Sequence, residues 1–380
     1  MMFEQGPIRP PSEAGSLLLR FTRNCPWNNC TFCPIYKGTK FSRRTLAEIK
    51  QDVDMVAKMI QELQAVSETM GYSGRVNQQV LNSVLTNPSY DACFRHVAMW
   101  SYYGKGTVFI QDANSLVLST GTLVEAFSYL KNKIPGVKRI TSYARSSTLV
   151  RKSLDELRQI RTAGLDRIHI GLESGSDQVL QFIKKGVTAK EHIAAGQKVI
   201  EAGMSLSEYI MPGLGGKTWS IEHAVETAKV LNAIDPHFIR LRSLRIPPNA
   251  PLYQDKVKGE FVPLHDDEIV AEIRLFIERL EGIHSTLTSD HIMNLLEEVG
   301  GTFPDDKQSM LDVIDRYLAL PDEDRLLFRL GRRGGAVRSL ADLQNASLKE
   351  RLVQASRDLM RQTHDGDLER IITELGDQYI

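Results

Sequence analysis

The sequence predicts an α/β protein built on parallel strands, and three observations predict it. Six apolar, strand-like runs recur along the chain, at Leu17–Arg23, Thr107–Gln111, Arg139–Tyr143, Arg167–Leu172, Leu206–Met211 and Phe238–Leu241. Helical patterns fill the gaps between them, and strict alternation of strand and helix calls for a parallel sheet with crossover helices. The length of 380 residues suits one large α/β domain with an appendage.

Each element has its own signal. The clearest helix runs through Leu46, Ile49, Val53, Val56, Ile60 and Leu63, which step by three and four and so share one face. Thr45 and Glu48 form a capping box at its start. Further helices fit Leu123–Leu130, Leu154–Thr162, Lys190–Ala202, Ile221–Leu231 and Glu268–Leu280. The long connection from about Gly71 to Gly106 carries helical patches and the aromatics Trp100, Tyr102 and Tyr103; it reads as a lid, a substrate wall or a small helical insert. Pro247, Pro248 and Pro251 punctuate the chain after the sixth strand. From about Ser289 the pattern is helical, with a locally basic run of Arg325, Arg329, Arg332, Arg333 and Arg338 amid interspersed acids. The expected division is therefore 1–285 for the main domain, with its insert near 71–106, and 286–380 for a C-terminal helical extension.

Composition narrows the class of function. Lysine plus arginine equals aspartate plus glutamate at 47 each, so no global field attracts nucleic acid or an anionic membrane. No apolar run is long enough to span a bilayer, and residues 1–15 lack a signal-peptide core. A cytoplasmic location and a small-molecule substrate are the expectations.

Three of the four cysteines sit together in Cys25-Pro-Trp-Asn-Asn-Cys30-Thr-Phe-Cys33, directly after the first strand; the fourth, Cys93, is remote. A tight odd-numbered cluster without a secretory signal points to metal ligation, and thiolate-rich sites select zinc or iron–sulfur clusters. Three local ligands leave one iron of a four-iron cluster open. A zinc knuckle or a closed cluster, with Cys93 or a histidine as fourth ligand, is the alternative. Cys93 itself reads as a small buried hydrophobe.

With this loop the chain resembles the radical S-adenosylmethionine (SAM) superfamily. The resemblance is strengthened by Gly171-Leu-Glu173-Ser174-Gly175-Ser176, with Lys185-Gly186 shortly after, at the end of the fourth strand. That pattern is similar to a branch shared with coproporphyrinogen oxidases, methylthiotransferases and elongator-type enzymes. The family spacing has three residues between the first two cysteines where this chain has four. The resemblance implies a partial (β/α)6 TIM-type barrel whose chemistry lies at the C-terminal strand ends. It further implies that Cys25, Cys30 and Cys33 hold a [4Fe–4S] cluster, that the open iron chelates SAM, and that Phe32 lies near the adenine. An external electron donor of the flavodoxin or ferredoxin type follows from the same resemblance.

Other candidates come from the strand ends. Asp112 and Asn114 stand where family members carry a Gly-Gly-Glu type motif for the methionine amino group, and an acid there can accept its hydrogen bonds. Arg145 is the candidate for the SAM carboxylate or a substrate acid. By resemblance Glu173 contacts the ribose with Ser174 nearby, and Ser176 with Asp177 also reads as a helix cap. Gly213 in Met211-Pro-Gly213-Leu-Gly215-Gly216 would let the backbone approach the adenosine. Arg240, Arg242 and Arg245 alternate with Leu241 and Leu244, which predicts an arginine face attractive to an acidic substrate; Arg242 joins the candidate cofactor-binding set.

The expected activity is reductive cleavage of SAM to a 5′-deoxyadenosyl radical that abstracts hydrogen from a small, anionic substrate. The alternatives are a radical SAM methyltransferase or RNA-modifying enzyme, and a non-catalytic iron–sulfur sensor.

Overall fold

The computed structural model describes residues 2–362 and 368–377. Residues 363–367 and 378–380 of the expected extension lie outside the described residues. The chain divides into two compact units. The first comprises Met1–Asn28, Ile35–Ile170 and Ala194–Leu206; the second comprises Asn29–Pro34, Gly171–Ile193 and Ser207–Ile380. The expected division at residue 285 falls inside the second unit.

The first unit is an alternating β/α assembly. Strand β1 (Leu17–Arg20) is followed by α1 (Leu46–Thr69), α2 (Gln78–Thr86) and α3 (Ala92–Tyr103). Then come β2 (Thr107–Gln111), α4 (Thr120–Lys133), β3 (Arg139–Ala144), α5 (Leu154–Ala163) and β4 (Leu165–Glu173). The strands lie in the order β1-β2-β3-β4, all parallel. Leu17, Leu19, Val108, Ile110, Ile140, Ile168 and Ile170 are all buried, as expected for parallel strands covered by helices. The Thr45–Glu48 capping box starts α1, whose Ile49, Val53, Val56, Met59 and Leu63 form its buried face. The predicted run Leu17–Arg23 splits, because Thr22–Arg23 leaves the main sheet to pair antiparallel with Ser42–Arg43.

The insert is a flank of β1 and α1. Its helix α3 packs against both, and the His96 Nε2 accepts the Leu18 amide at 3.3 Å. Burial pushes His96 down to about 4, so it is the neutral acceptor this contact requires. Because β1 ends the strand order, α3 satisfies an edge that would otherwise be open to pairing. Trp100 Nε1 donates to the Thr107 carbonyl at 2.8 Å and ties the insert to the start of β2.

The second unit continues the β/α pattern. After α6 (Asp177–Phe182) and α7 (Ala189–Glu201), the chain forms β5 (Ser205–Ile210), α8 (Gly216–Ile234), β6 (Phe238–Leu241) and α9 (Asp266–Glu278). All six predicted strands are present. A further parallel strand, β7 (Thr286–Thr288), pairs with β6, and a short antiparallel one, β8 (Gly301–Thr302), pairs with β7. The expected helical extension therefore begins with strands. They escaped the sequence reading because two- and three-residue strands have no periodicity to detect. Helices α10 (Lys307–Leu318), α11 (Asp322–Arg333), α12 (Ala346–Gln362) and α13 (Leu368–Asp377) follow.

The arginine run of α11 is internal. Arg333 pairs with Asp266 at 2.7 Å, Arg329 with Glu369 at 2.6 Å, and Arg332 with Glu297 at 3.2 Å. Arg325 is bonded to Asp267 at 3.2 Å and Arg338 to Glu297 at 2.8 Å. Arg329, Arg332 and Arg333 are buried. The basic run is thus paired with carboxylates from neighbouring segments, Arg338 being the exposed member. Among the described residues no helix is long and apolar enough to cross a membrane.

Candidate functional site

The cysteine loop leaves β1 through a tightly bonded turn in the first unit. Asp112, at the end of β2, accepts from Arg20 Nε at 2.7 Å, from the Asn24 amide at 2.7 Å and from the Tyr36 hydroxyl at 3.1 Å. Asn24 and Asn28 both sit in the left-handed region, with φ of 70° and 48°, which asparagine adopts more readily than most residues. The Asn28 side chain donates to the Tyr36 carbonyl at 2.6 Å, while its amide donates to Cys25 Sγ at 3.4 Å. Asp112 was expected to meet an amino group, and the structure uses its oxygens to shape the loop that carries Cys25.

The rest of the loop belongs to the second unit. The Thr31 amide donates to the Ile183 carbonyl at 2.9 Å, and the Leu252 amide donates to the Thr31 carbonyl at 2.9 Å. Cys30 is buried and Cys33 half-buried. Phe32 packs on the apolar cluster of Val179, Ile183, Met211 and Leu214, with the Lys185 ammonium 5.7 Å from its ring.

A polar cluster surrounds the end of β4 in this unit. Glu173 has a positive φ of 64°, uncommon for a residue with a long side chain and of the kind found at ligand sites. Lys185 Nζ donates to Glu173 Oε1 at 3.0 Å. Gly171 leaves the room for this pair, since a Cβ there would stand 2.2 Å from Glu173 Oε1. Glu208 on β5 is fully buried, and among the described residues neither of its carboxylate oxygens has a hydrogen-bond partner. Burial drives its carboxyl strongly up, Lys185 opposes the shift and Glu173 adds to it. A buried carboxyl without partners is costly, and this one stands near the Glu173–Lys185 ion pair.

Ser174 is buried and contacts His223 Nδ1 at 2.8 Å. Ser176 caps α6 by accepting the Val179 amide at 3.2 Å, so the cap reading of this motif is correct. Gly213 has φ of 88°, and its amide donates to Glu272 Oε1 at 2.6 Å. In the first unit, Asn114 is buried and brackets the turn after β3, accepting the Arg145 amide at 3.3 Å and donating to Thr148 at 2.8 Å. The Arg145 guanidinium lies 5.2 Å from the Trp27 ring, within the cysteine loop.

The arginine face does not form. β6 stops at Leu241, so the period of two ends before Arg242. Arg240 bonds Ser207 and Thr288 at 3.2 Å each, whereas Arg245 pairs with Asp266 at 3.1 Å. The Arg242 amide donates to the Ile210 carbonyl at 2.9 Å. Beside Gly213 there is a cavity of about 250 Å³, lined by Leu244, Arg245, Lys256, His265, Ile269 and Ile372 among others.

Lys185, Glu208, His223 and Glu272 were missed as site residues. A signal existed for two of them. Glu208 shares strand parity with Leu206 and Ile210, and Glu272 lies on the apolar face of α9 with Ile269, Ile273 and Phe276. An acid on an apolar face needs a reason to be there.

Among the described residues, no group of three or more His, Cys, Asp or Glu side chains is drawn into metal-binding geometry. The donor chemistry nevertheless fits a thiolate-ligated group: three thiols on one short loop are soft ligands suited to iron–sulfur clusters or zinc. Cys93 is committed elsewhere, buried with its Sγ donating to the Phe3 carbonyl at 3.5 Å.

Residues 86–228 match the family model described as the radical SAM superfamily. That match takes in Glu173, Lys185 and Gly213, and begins after the cysteine loop. The chain is 23% identical over 116 residues to a tRNA uridine(34) acetyltransferase of Methanocaldococcus jannaschii, covering 30% of this chain and 21% of that protein. It is 24% identical over 182 residues to the heme chaperone HemW of Bacillus subtilis, covering 47% of each. The chain thus spans about a fifth to a half of the length of these relatives. Among solved structures, methylornithine synthase aligns with a TM-score of 0.43 and 13% identity, over 88% of this chain and 85% of that one. Residues 86–228 thus carry a domain of the radical SAM superfamily, whose enzymes work with a [4Fe–4S] cluster and SAM.

Proposed function

We propose that this enzyme cleaves SAM reductively and uses the product to take hydrogen from a small, anionic substrate. The observation that carries the proposal is the Cys25, Cys30 and Cys33 loop at the end of β1, in a chain whose next four strands fall within the residues that match the radical SAM model. Bound there, the cluster and SAM would supply an electron and a 5′-deoxyadenosyl radical; the protein supplies position and dryness.

In this reading the three cysteines hold the cluster, and Asp112 shapes the loop through Arg20, Asn24 and Tyr36 instead of meeting SAM directly. The Glu173–Lys185 pair and the partnerless Glu208 provide acceptors and a cation for the polar parts of SAM, with Phe32 as an apolar wall. Ser174, Gly213 and Arg242 of the same unit, and Asn114 and Arg145 of the first unit, remain candidate binding residues. The cavity beside Gly213 has a volume suited to a small molecule. Arg245, Lys256 and His265 share its wall with Asp266 and Glu369, so Lys256 and His265 are the groups that would meet an acidic one. The C-terminal segment from 286 onward is proposed as the appendage that shapes this substrate side. An external flavodoxin- or ferredoxin-type donor would reduce the cluster.

An RNA substrate has one observation in its favour, the relative named as a tRNA uridine(34) acetyltransferase. The α11 arginines, paired with carboxylates, add no support to it.

The test uses protein reconstituted without oxygen, then given dithionite and SAM, with 5′-deoxyadenosine quantified by mass spectrometry. Production that depends on Cys30, absent in Cys30→Ala, is the expected result. S-adenosylhomocysteine as the sole product would favour methyl transfer. An intact cluster that binds no SAM would make the chain a sensor.

A further inference from the structure

The two turns that carry Ser174 and Gly213 are joined by a buried polar chain that the activity above does not require. Ser174 Oγ lies 2.8 Å from His223 Nδ1, and His223 Nε2 lies 3.2 Å from the Met211 carbonyl oxygen. A carbonyl only accepts, so Nε2 carries the hydrogen and Nδ1 accepts from the Ser174 hydroxyl. Ser174 Oγ in turn accepts the Ser176 amide at 3.1 Å. Beside this chain, Glu272 of α9 accepts the Gly213 amide on Oε1 at 2.6 Å and the Ser220 hydroxyl on Oε2 at 2.5 Å. The Met211 amide donates to the Glu173 carbonyl at 3.1 Å. Ser174, Ser176, His223 and Glu272 are buried, with Ser220 half-buried beside them, and a carboxylate in such a place is expensive unless it holds something that matters.

We propose that Glu272, with His223 and Ser220 around it, is a positioning residue that locks the Met211–Gly216 turn against the Glu173–Ser174 turn and thereby sets the affinity for SAM. The inference rests on the reading of these turns as part of the SAM site. Gly213 reaches its left-handed conformation with its amide aimed at Glu272, so the carboxylate selects that conformation out of those open to glycine. An ionised carboxylate makes charge-assisted bonds to the amide and hydroxyl, about twice as strong as those of a neutral acid.

The surroundings make the clamp responsive near neutral pH. Burial raises Glu272 to about 7, with the Ser220 and Gly213 bonds opposing. His223 of α8 faces it at 3.7 Å and is held down to about 4 by burial, so the two form no ion pair at neutral pH. The turn contributes only its amide. On α9 itself, Glu268 is turned to Lys217 at 3.1 Å and His265 at 3.5 Å, and Arg274 to Asp315 at 2.5 Å. Glu272 loses its proton as pH rises through 7, so the clamp tightens from pH 6 to pH 8.

The experiment measures SAM dissociation constants by equilibrium dialysis on cluster-loaded wild type, Glu272→Gln and Ser220→Ala between pH 6 and pH 8.5. Wild type should bind about tenfold more tightly at pH 8 than at pH 6, the ratio that 1.4 kcal/mol represents. Glu272→Gln should lose the inflection, and Ser220→Ala should move it upward, because the lost bond had favoured the ionised form. Parallel curves for wild type and Glu272→Gln, or an unmoved inflection in Ser220→Ala, would overturn the proposal while leaving SAM binding intact. If Glu272→Gln does not fold, Ser220→Ala decides alone. Absence of SAM binding by wild type at every pH would overturn the SAM reading and this inference with it.

Discussion

Two buried carboxylates of the sheet, Asp112 just after β2 in the first unit and Glu208 within β5 in the second, have opposite surroundings. Asp112 meets Arg20, the Asn24 amide and the Tyr36 hydroxyl. Glu208 is equally buried and, among the described residues, has no hydrogen-bond partner on either oxygen. The first acid is saturated by its own chain and so builds the scaffold of the cysteine loop. The second is held in reserve, with Lys185 and Glu173 near enough to bias its proton, which is the pattern of a group meant for something the chain itself does not supply. Position after a strand suggests a site; unspent hydrogen-bonding capacity distinguishes a ligand contact from a structural anchor.

Removing each acid should separate these roles. Asp112→Ala leaves the Arg20 guanidinium without that carboxylate and strands the Asn24 amide. It should cost about 3 kcal/mol of stability, read as a lowered denaturation midpoint, together with poor iron loading. Unchanged stability would mean that Asp112 is free for a ligand after all. Glu208→Gln should do the reverse: SAM affinity drops about tenfold, roughly 1.4 kcal/mol, while the fold becomes more stable. The sign follows from its raised pKa. The unfolded acid ionises near its ordinary value and the folded one does not, so the wild-type contribution is fully present at acid pH and is lost as pH rises. The gain in Glu208→Gln should therefore be larger at pH 8 than at pH 5. A uniform destabilisation would erase the contrast.

Histidine sharpens the same comparison at smaller scale. His96 in the first unit and His223 and His291 in the second are all held near 4 by burial. Neutral in the fold but protonated below about 6.5 when unfolded, each gives stability that is complete above pH 6.5 and lost as pH falls toward 4. His96→Gln keeps an acceptor for the Leu18 amide and should flatten that acid slope by about 1–2 kcal/mol, measured by denaturation at pH 5 and pH 7. An unchanged slope would show that His96 is protonated in the fold. The weakest effect belongs to Trp27→Ala, which removes the ring beside Arg145. Its cost should be about 0.5 kcal/mol, within reach of a denaturation curve, and a loss several times larger would give Trp27 a role in the loop itself.

Much of this was legible in sequence where the signal is local. Periodic apolar spacing placed α1 and its capping box, and the strand-like runs placed all six predicted strands. The Glu173-Ser174-Gly175-Ser176 motif and the cysteine loop pointed to the chemistry. What sequence could not carry was long-range pairing. Nothing near Asp112 announces Arg20 as its partner, and nothing near Arg333 announces Asp266. The arginine face failed because alternation was extended past Leu241, where the strand ends. Glu208 and Glu272 were the readable exceptions, each an acid set among apolar neighbours of the same face.

The central claim is that Cys25, Cys30 and Cys33 alone hold a four-iron cluster while Cys93 does not. The most direct measurement is iron and acid-labile sulfide per chain after anaerobic reconstitution, on wild type and on each of the four cysteine-to-alanine variants. The account predicts about four irons for wild type and Cys93→Ala, with loss in each of the other three. A Cys93→Ala variant that loses its cluster, or a wild type that retains zinc and no sulfide, would contradict it.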